Sequence, residues 1–553
     1  MSDRLRIGLL IAIVLLAYGN TLGNEFTQDD TLYILRNSRV TSPTIGGLFE
    51  PVEYTNIFRP VTFGSFALNW MVDGAHPFGY HLGNLLLQAI VTVLLFLTLK
   101  KLLEFSPQGP LVAWVAALVF AVHPIHTEAV ASVVGRAELL AAGFLLAAWL
   151  LHLQNHEIAA VVCFGLALLS KESALAFVPL VIAGDYVRGK WKTLYAYVAT
   201  AVTAVAYLAL LWKVQGGHFG AASVAFLDNP LGHLPAKLRI LNAVRIAWKY
   251  FGIQIYPGKL SSDYSYNAIL LYANLRHLAP AAIAAVLLVA VWLWTLKTNR
   301  KEWFLAGTIY FAGFAITANI LVPTGTIMGE RLAYLPSTGY CLLVALIWIW
   351  LLKRQEKLAW TVLAIFLAGL AVRTVVRNRD WHDNFTLFSA DVKVVPGSAK
   401  IHSNLGVMYY TRGDADAASK ELQTALHIYR DLPEAMVYNA LIESNKGENL
   451  EAQKMLEKAL SLTPQSNPNY DFMVVSLAGV LNMEGQSDRA LKLLDDEVTR
   501  SPASSRAWSA RAALRYQGGD LGGARADAEM AARLDGTNEQ AERLLANLNG
   551  RAQ

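Results

Sequence analysis

The sequence predicts an all-α protein in two parts, a polytopic bundle of membrane-crossing helices followed by a soluble α-solenoid. Three observations carry that prediction. The 553 residues are 54% hydrophobic and 16% charged, with a mean hydropathy of +0.36, whereas a soluble globular chain carries about 25% charged residues. The apolar excess lies in long runs before about residue 376, and the remainder is charged and Ala-rich. Beyond Trp381 small residues recur at the spacing of paired helices. Two such compositions imply two domains in two solvents.

A helix that crosses a bilayer needs roughly 20 mostly apolar residues, because lipid offers no hydrogen bonds to an open backbone. Runs near 5–23, 82–103, 111–127, 138–154, 157–170, 174–187, 194–214, 278–296, 303–322, 336–352 and 358–376 predict about eleven spans, two of them short and flanking Lys171. The basic start and the run Ile7 to Leu16 resemble a signal peptide, but no small-x-small cleavage site follows, so a retained first span is expected. No retention or lipidation signal is expected in the C-terminal Asn-Gly-Arg-Ala-Gln. Cys163 and Cys341 both fall in apolar runs and read as small buried hydrophobes rather than a disulfide. The net charge of +5 is too small for this length to argue for nucleic acid.

Basic residues cluster at alternate connections: Arg4 and Arg6, Lys100 and Lys101, Arg188 with Lys190 and Lys192, Lys297 with Arg300 and Lys301, and Lys353 with Arg354 and Lys357. The positive-inside rule puts these in the cytoplasm with the N-terminus, and an odd number of spans puts everything after about residue 377 outside it. Arg373, Arg377 and Arg379 stand against that orientation and are outvoted. A bacterial inner membrane with periplasmic repeats is expected, or the ER membrane in a eukaryote. Three polar stretches then share the outer face: the first loop with Asp29 and Asp30, the segment from His123 to Glu138, and the turn from Pro323 to Pro336. The connection from Gln215 to His277 is also outside, with Ile240–Tyr256 expected as a re-entrant or interfacial helix.

After Trp381 the residues Ala418, Ala452, Ala490 and Ala524 stand 34, 38 and 34 apart, with Leu422, Leu456, Leu494 and Ala528 four positions later. Ala425, Ala459 and Ala531 follow three after that, and Pro464 and Pro502 close two units. A 34-residue period with small residues at fixed places signals tetratricopeptide repeats, about four of them, the longer step reflecting an insertion around Gln465–Asn469. The domain boundaries read as 1–379 for the membrane part, 380–397 for a connecting segment and 398–553 for the repeats. The concave face of such repeats suits an extended acceptor protein or peptide; a spacer or oligomerisation arm is the plainer alternative.

Asp29 and Asp30 read either as an N-cap of a helix starting at Thr31 or as the source of a general base, since transfer of a sugar to a hydroxyl needs a carboxylate to take the acceptor proton. Asp30, nearer the following helix, is the preferred base. His123, His126 and Glu128, with Arg136 and Glu138 after Gly135, interrupt apolar sequence where ionisable groups cost energy unless paired or functional. No cofactor is expected; a metal on His123, His126 and Glu128 is the lesser alternative because Pro124 breaks any continuous helical ligand face. An Arg136–Glu138 or Arg136–Glu128 pair is the plainer reading. Lys171-Glu172 and Glu330-Arg331 read as self-compensating pairs, or as donors of the cations that a lipid phosphate requires, with Arg331, Arg136 and Lys171 as the candidates.

The stretches HPIHTEAVASVVGRAELL at 123–140, SKES at 170–173, GERLAYLPSTG at 329–339 and RPVTFGSFALNW at 59–70 resemble the transmembrane and tetratricopeptide-repeat protein O-mannosyltransferases. WHDNFTLFSADVKVVPGSAKIHSNLG at 381–406 resembles their membrane-to-repeat junction. The resemblance covers nearly the whole chain. It implies a GT-C-type membrane fold, a polyprenyl-phosphate sugar (mannose) as donor and Ser or Thr hydroxyls of extracytoplasmic proteins as acceptors. By position it places the acidic pair on Asp29 and Asp30, the His-Glu and Gly-Arg-Ala-Glu motif on His123, His126, Glu128, Arg136 and Glu138, and the Glu-Arg pair on Glu330 and Arg331; Lys171 and Glu172 support the same site. About four repeats and no retention signal depart from the animal members and suggest a bacterial relative. Two other classes compete. A ligase or oligosaccharyltransferase moving preassembled glycan would carry its residues in a large late outer loop, and a non-enzymatic scaffold for pilus or envelope assembly would use only its repeats.

Overall fold

The computed structural model of the protein describes residues 1–52, 56–217 and 224–550. Residues 218–223 of the connection from Gln215 to His277 and 551–553 of the C-terminal stretch lie outside the described residues. The fold is all-α, with no strand among the described residues, and divides into two compact units, Met1–Gly397 and Ser398–Gln553.

In the first unit a helix forms at each of the eleven apolar runs. They begin with α1 (Asp3–Tyr18), after which the loop carries the short α2 (Ser38–Thr41) and α3 (Ile45–Leu48) and then α4 (Pro60–Asp73). Next come α5 (Phe78–Leu102), α6 (Gly109–Val122), α7 (Thr127–Ala131), α8 (Arg136–Leu153), α9 (Glu157–Ser170), α10 (Phe177–Arg188) and α11 (Leu194–Val214). The long connection folds α12 (Ala236–Ile255), and α13 (Leu275–Lys297), α14 (Lys301–Phe314), α15 (Pro336–Leu352), α16 (Glu356–Asp380) and α17 (Asn384–Val394) complete the unit. Among the described residues six stretches are long and apolar enough to cross a membrane, or seven if the bent pair Gly109–Val122 and Pro124–Ala131 is one span. The difference from eleven has local causes. Pro124 removes a backbone donor and stops α6, the two elements diverging by 55°. Helix α14 ends at Phe314 and gives way to irregular chain, while α9 and α10 are separated by a 3-10 turn at Glu172–Ala176.

Burial separates core from lipid-facing helices. Eleven of the fourteen residues of α6 are buried, as an apolar-all-round helix in the middle of a bundle requires. Only Leu278 and Thr295 of α13 are buried, so its apolar surface faces outward, where lipid is the solvent that tolerates it. Gly339 marks a close approach of two helices: a Cβ there would lie 2.5 Å from the Ala306 carbonyl oxygen of α14. Cys341 is buried and Cys163 half-buried, and both are free thiols.

Contacts link the basic clusters before Lys353. Lys100 pairs with Asp3, Glu104 receives Lys101, Arg188 and Lys190 at 2.5–3.0 Å, and Lys301 lies over the Phe105 ring. Exposed Trp191, Trp294, Trp350 and Trp360 sit beside the same clusters, with Arg300 over Trp294 and Arg354 over Trp350. The dissenting arginines are engaged with protein: Arg373 donates to the Pro257 and Gly258 carbonyls and Arg377 pairs with Asp380 and Asp391.

The second unit is four antiparallel helix pairs and a closing helix: α18 (Ala399–Thr411) with α19 (Ala415–Ile428), α20 (Pro433–Asn445) with α21 (Asn449–Leu462), α22 (Tyr470–Met483) with α23 (Ser487–Arg500), α24 (Ser505–Gln517) with α25 (Leu521–Leu534), and α26 (Glu539–Gly550). Ala418, Ala452, Ala490 and Ala524 are fully buried, as are Leu422, Leu456, Leu494 and Ala528. A Cβ on Gly406 would come within 2.7 Å of Leu422 Cγ, so any side chain there would require Leu422 to move. The longer step arises mainly from the connection 463–469, which holds the insertion at Gln465–Asn469. The first helices of successive pairs present an aromatic row. Tyr410 meets Tyr438 at 5.3 Å, Tyr438 meets Phe472 at 5.5 Å, and the Arg506 guanidinium lies over Phe472.

Candidate functional site

The four polar motifs, far apart in sequence, converge in the first unit. Asp30 is fully buried and its two oxygens accept from the backbone N–H groups of Thr27 at 2.9 Å, Val133 at 3.4 Å and Val134 at 2.9 Å. It is therefore a clasp between the first loop and the Val133–Gly135 turn. Burial pushes its carboxyl up to about 7, against the pull of those three donors. The preference for Asp30 as base does not fit this geometry, because both oxygens are occupied and none faces solvent. The helix-cap reading does not fit either: the Asp30 side chain makes no capping bond to the turn that starts at Thr31.

Asp29 is the open member of the pair. Its carboxylate is 46% exposed and stands 3.7 Å from Arg331 Nη2. Arg331, 28% exposed, reaches the buried Glu128 carboxylate with Nη1 at 3.4 Å, and its backbone N–H donates to Glu128 Oε2 at 2.8 Å. Tyr250 of α12 fixes the turn before Arg331, its hydroxyl donating to the Gly329 carbonyl at 3.0 Å and accepting from the Gly329 N–H at 2.9 Å.

Neither neighbouring pair is self-compensating. Glu330 is fully buried; its Oε1 accepts from the Ser261 N–H at 2.6 Å and the Tyr264 hydroxyl at 2.7 Å. Burial pushes its carboxyl up to about 8. Lys171 is buried and paired with buried Glu138. Glu172 turns instead to Arg59, which holds it with two nitrogens at 2.8 and 3.3 Å. The residues adjacent along the chain are separated because the 3-10 turn starting at Glu172 sends their side chains to different partners.

Arg136 does not fit a phosphate-binding role, nor a pair with Glu138 or Glu128. It is buried and donates to Asn84 Oδ1 at 2.8 Å, Asn69 Oδ1 at 2.6 Å and the Ser65 and Tyr80 carbonyls. Lys171 is likewise unsuited, closed in with Glu138. Among the described residues the cations of the cluster that stay partly exposed are Arg331 and Arg59, the latter 20% exposed. Sequence reasoning quoted Arg59 in the RPVTFGSFALNW motif without a role; an arginine immediately before the proline that starts α4 was the available signal. Ser261, Tyr264 and Tyr250, from the long connection between α11 and α13, carried no signal.

The histidines belong to the broken helix. His123 Nε2 faces the Gln254 carbonyl at 2.9 Å and its Nδ1 accepts from the Ile125 N–H at 3.1 Å. His126 Nδ1 faces the Phe120 carbonyl at 3.0 Å and Nε2 faces Ser337 Oγ at 2.7 Å. With all four ring nitrogens engaged, the metal alternative for His123, His126 and Glu128 does not fit. Among the described residues no group of three or more His, Cys, Asp or Glu is arranged to hold a metal ion.

The chain is 31% identical over 441 residues to a protein O-mannosyl-transferase of Caenorhabditis elegans, an alignment covering 76% of this chain and 62% of the relative. The chain is a homologue of the TMTC protein O-mannosyl-transferases. TMTC3 of Mus musculus is 27% identical over 568 residues, covering 92% of this chain and 61% of that protein, and TMTC4 of Mus musculus is 27% identical over 481 residues, with 74% and 64% covered. The chain thus spans about three fifths of the length of the curated relatives it matches. No family model matches. Solved structures with some likeness include YrrB, a TPR protein with an unusual peptide-binding site, at 14% identity and a TM-score of 0.24 over 35% of this chain and 96% of that one. The Cut9–Hcn1 assembly of APC/C follows at 13% and 0.29, over 88% and 92%. At those scores the likenesses bear on neither fold detail nor function. The TMTC homology and the apolar helices make the chain a membrane protein.

Proposed function

We propose that this TMTC homologue transfers mannose from a polyprenyl-phosphate donor to Ser or Thr hydroxyls of extracytoplasmic proteins, at the site where Asp29 faces Arg331. The observation that carries the reading is this contact: an open carboxylate and an open guanidinium 3.7 Å apart, over buried Glu128, Glu138 and Lys171. Asp29 takes the proton of the acceptor hydroxyl as its oxygen bonds to the anomeric carbon. The bond from that carbon to the phosphate oxygen breaks, and Arg331 neutralises the charge gathering on the departing polyprenyl phosphate. Arg59, the other open cation, stands where it can share that task. The homologues' names support the reaction class, and the aromatic row Tyr410–Tyr438–Phe472 supports the repeats as the surface for an extended acceptor.

The basic clusters and their tryptophans belong in the cytoplasmic interface, which puts Asp29 and the repeats on the far side. A reporter fused after Lys192 is expected inside and one after Arg377 outside; cytoplasmic labelling of both reverses the orientation. The reaction is tested with the purified chain in detergent, polyprenyl-phosphate mannose and a Ser/Thr-containing peptide, reading the peptide for one added hexose. Consumption of another polyprenyl-phosphate sugar corrects the sugar. Use of none, by protein that is folded, overturns the enzyme reading.

A further inference from the structure

Asp29 lies between two residues that are each pinned from outside the loop. On one side Asp30 is clasped by three backbone donors. On the other, Gln28 sits at φ +48°, in the left-handed region that residues with a side chain seldom occupy. Two elements hold it there. Its backbone N–H donates to Asn384 Oδ1 at 2.8 Å, and its side-chain amide donates to Ser262 Oγ. Ser262 in turn gives its N–H and hydroxyl to Asp391 Oδ2 at 2.8 and 2.5 Å, and buried Arg377 holds the other oxygen of Asp391 at 2.9 Å. Asn384 and Asp391 both belong to α17. That helix is started by a capping box, Asp383 Oδ1 accepting from the Thr386 N–H at 2.7 Å, so Asn384 is presented from a fixed first turn. A further tie precedes the pair, the Glu25 N–H donating to the His382 carbonyl at 2.8 Å.

We infer that Asn384 is a positioning residue: α17, which looks in the sequence like a mere connector, holds Gln28 in its left-handed conformation and thereby aims the Asp29 carboxylate at the acceptor. The inference rests on Asp29 being the base. The Asp29 carboxylate is half-exposed and its 3.7 Å contact with Arg331 is longer than a hydrogen bond, so its direction depends on the backbone frame on its two sides. Asn384 touches neither donor nor acceptor; it acts through Gln28.

The test uses the full chain in detergent, with polyprenyl-phosphate mannose and a Ser/Thr-containing peptide. Asn384→Ala is expected to lower kcat by roughly 10–100-fold, the scale on which a misplaced catalytic group costs rate, with the donor KM unchanged. Asn384→Asp keeps an oxygen that can accept from Gln28 and is expected to retain most of the rate. In an Asp29→Asn background, adding Asn384→Ala should change the residual rate no further, because there is no base left to aim. A wild-type kcat for Asn384→Ala, an equal loss for Asn384→Asp, or a further loss on top of Asp29→Asn overturns the inference while leaving the base in place. Full activity of Asp29→Asn overturns the base itself and the inference with it. Should Asn384→Ala fail to fold, Ser262→Ala removes the other tie to Gln28 and is read by the same three comparisons.

Discussion

The two ends of the membrane unit both gather charge, and they do it in opposite ways. At the basic end one acid, Glu104, receives three cations, Lys101, Arg188 and Lys190, and tryptophans stand exposed among the remaining lysines and arginines. Positive charge is in excess there, and most of it is solvated. At the opposite end the carboxylates are buried: Glu128, Glu138, Glu330 and Asp30. Each is matched by a named donor, while Asp29, Arg331, Arg59 and Glu172 keep part of their side chains exposed. Charge that stays in water is inexpensive and serves to orient a chain in a bilayer. Charge taken out of water is tolerated only when paired, and the members left half-open are those able to change partners with a substrate.

That contrast can be broken in four ways. The largest effect is expected within the acidic pair. Asp29→Asn should leave folding and donor binding intact and cost about 10²–10⁴-fold in transfer rate, the scale of a lost general base. Asp30→Asn should do the reverse, lowering the melting temperature through a buried N–H left facing an amide, a defect worth about 1–3 kcal/mol. Swapped outcomes would return the base to Asp30. Next, Arg331→Ala should weaken use of the donor by about 1.5–3 kcal/mol, as for a hydrogen bond to a charged group. Arg331→Lys should recover only part of it because the forked geometry is lost. Unchanged donor kinetics would confine Arg331 to its contacts with Glu128 and Asp29.

The third effect is on stability and depends on pH. With Glu330 raised to about 8, the folded chain keeps a proton that the unfolded chain releases near the ordinary carboxylate range. Stability should therefore fall as pH rises from about 4.5 to about 8, by up to about 1.4 kcal/mol per pH unit. Glu330→Gln, which still accepts from Ser261 and Tyr264, should flatten that slope in thermal melts between pH 5 and 9; an identical slope would mean Glu330 titrates normally. The smallest effect belongs to the basic end. Glu104 is held down to about 2 by Lys190, Arg188 and Lys101 against its partial burial. It is partly exposed, so Glu104→Gln should cost no more than about 1 kcal/mol, and less in high salt. A larger loss would erase the distinction between the two ends.

Much of this was legible in the sequence and the remainder has a common cause. Apolar run length located a helix at all eleven positions, and the 34-residue spacing gave the buried register of Ala418 through Ala524. The ends of helices are what composition does not mark: Pro124 and the irregular chain after Phe314 stop helices inside runs that read as continuous. The convergence of Asp29, Glu128, Lys171 and Arg331 could be read from topology, since all map to one side. Their pairing could not. Lys171 lies next to Glu172 in sequence yet binds Glu138, thirty-three residues away, and Arg136 satisfies itself on side-chain amides and main-chain oxygens. Buried charge chooses partners by distance across the fold, which adjacency along the chain does not encode.

The break in α6 has a consequence for how the unit is made. Stopping a helix in an apolar core frees carbonyls that lipid cannot satisfy. Here they are claimed by residues from the first and the last long helices of the unit. The His123 carbonyl accepts from the Tyr18 hydroxyl of the first span at 3.1 Å, and the Val122 carbonyl accepts from the Thr374 hydroxyl of the last at 2.7 Å. Asn378 then reaches the Ala17 carbonyl at 2.9 Å. A chain still being synthesised holds the first span and the break long before residue 374 emerges. Until that last helix inserts, the Val122 carbonyl lacks its Thr374 donor. Closure of the unit is thus a late event in biogenesis, and a truncation within α16 would damage the centre of the bundle rather than its edge.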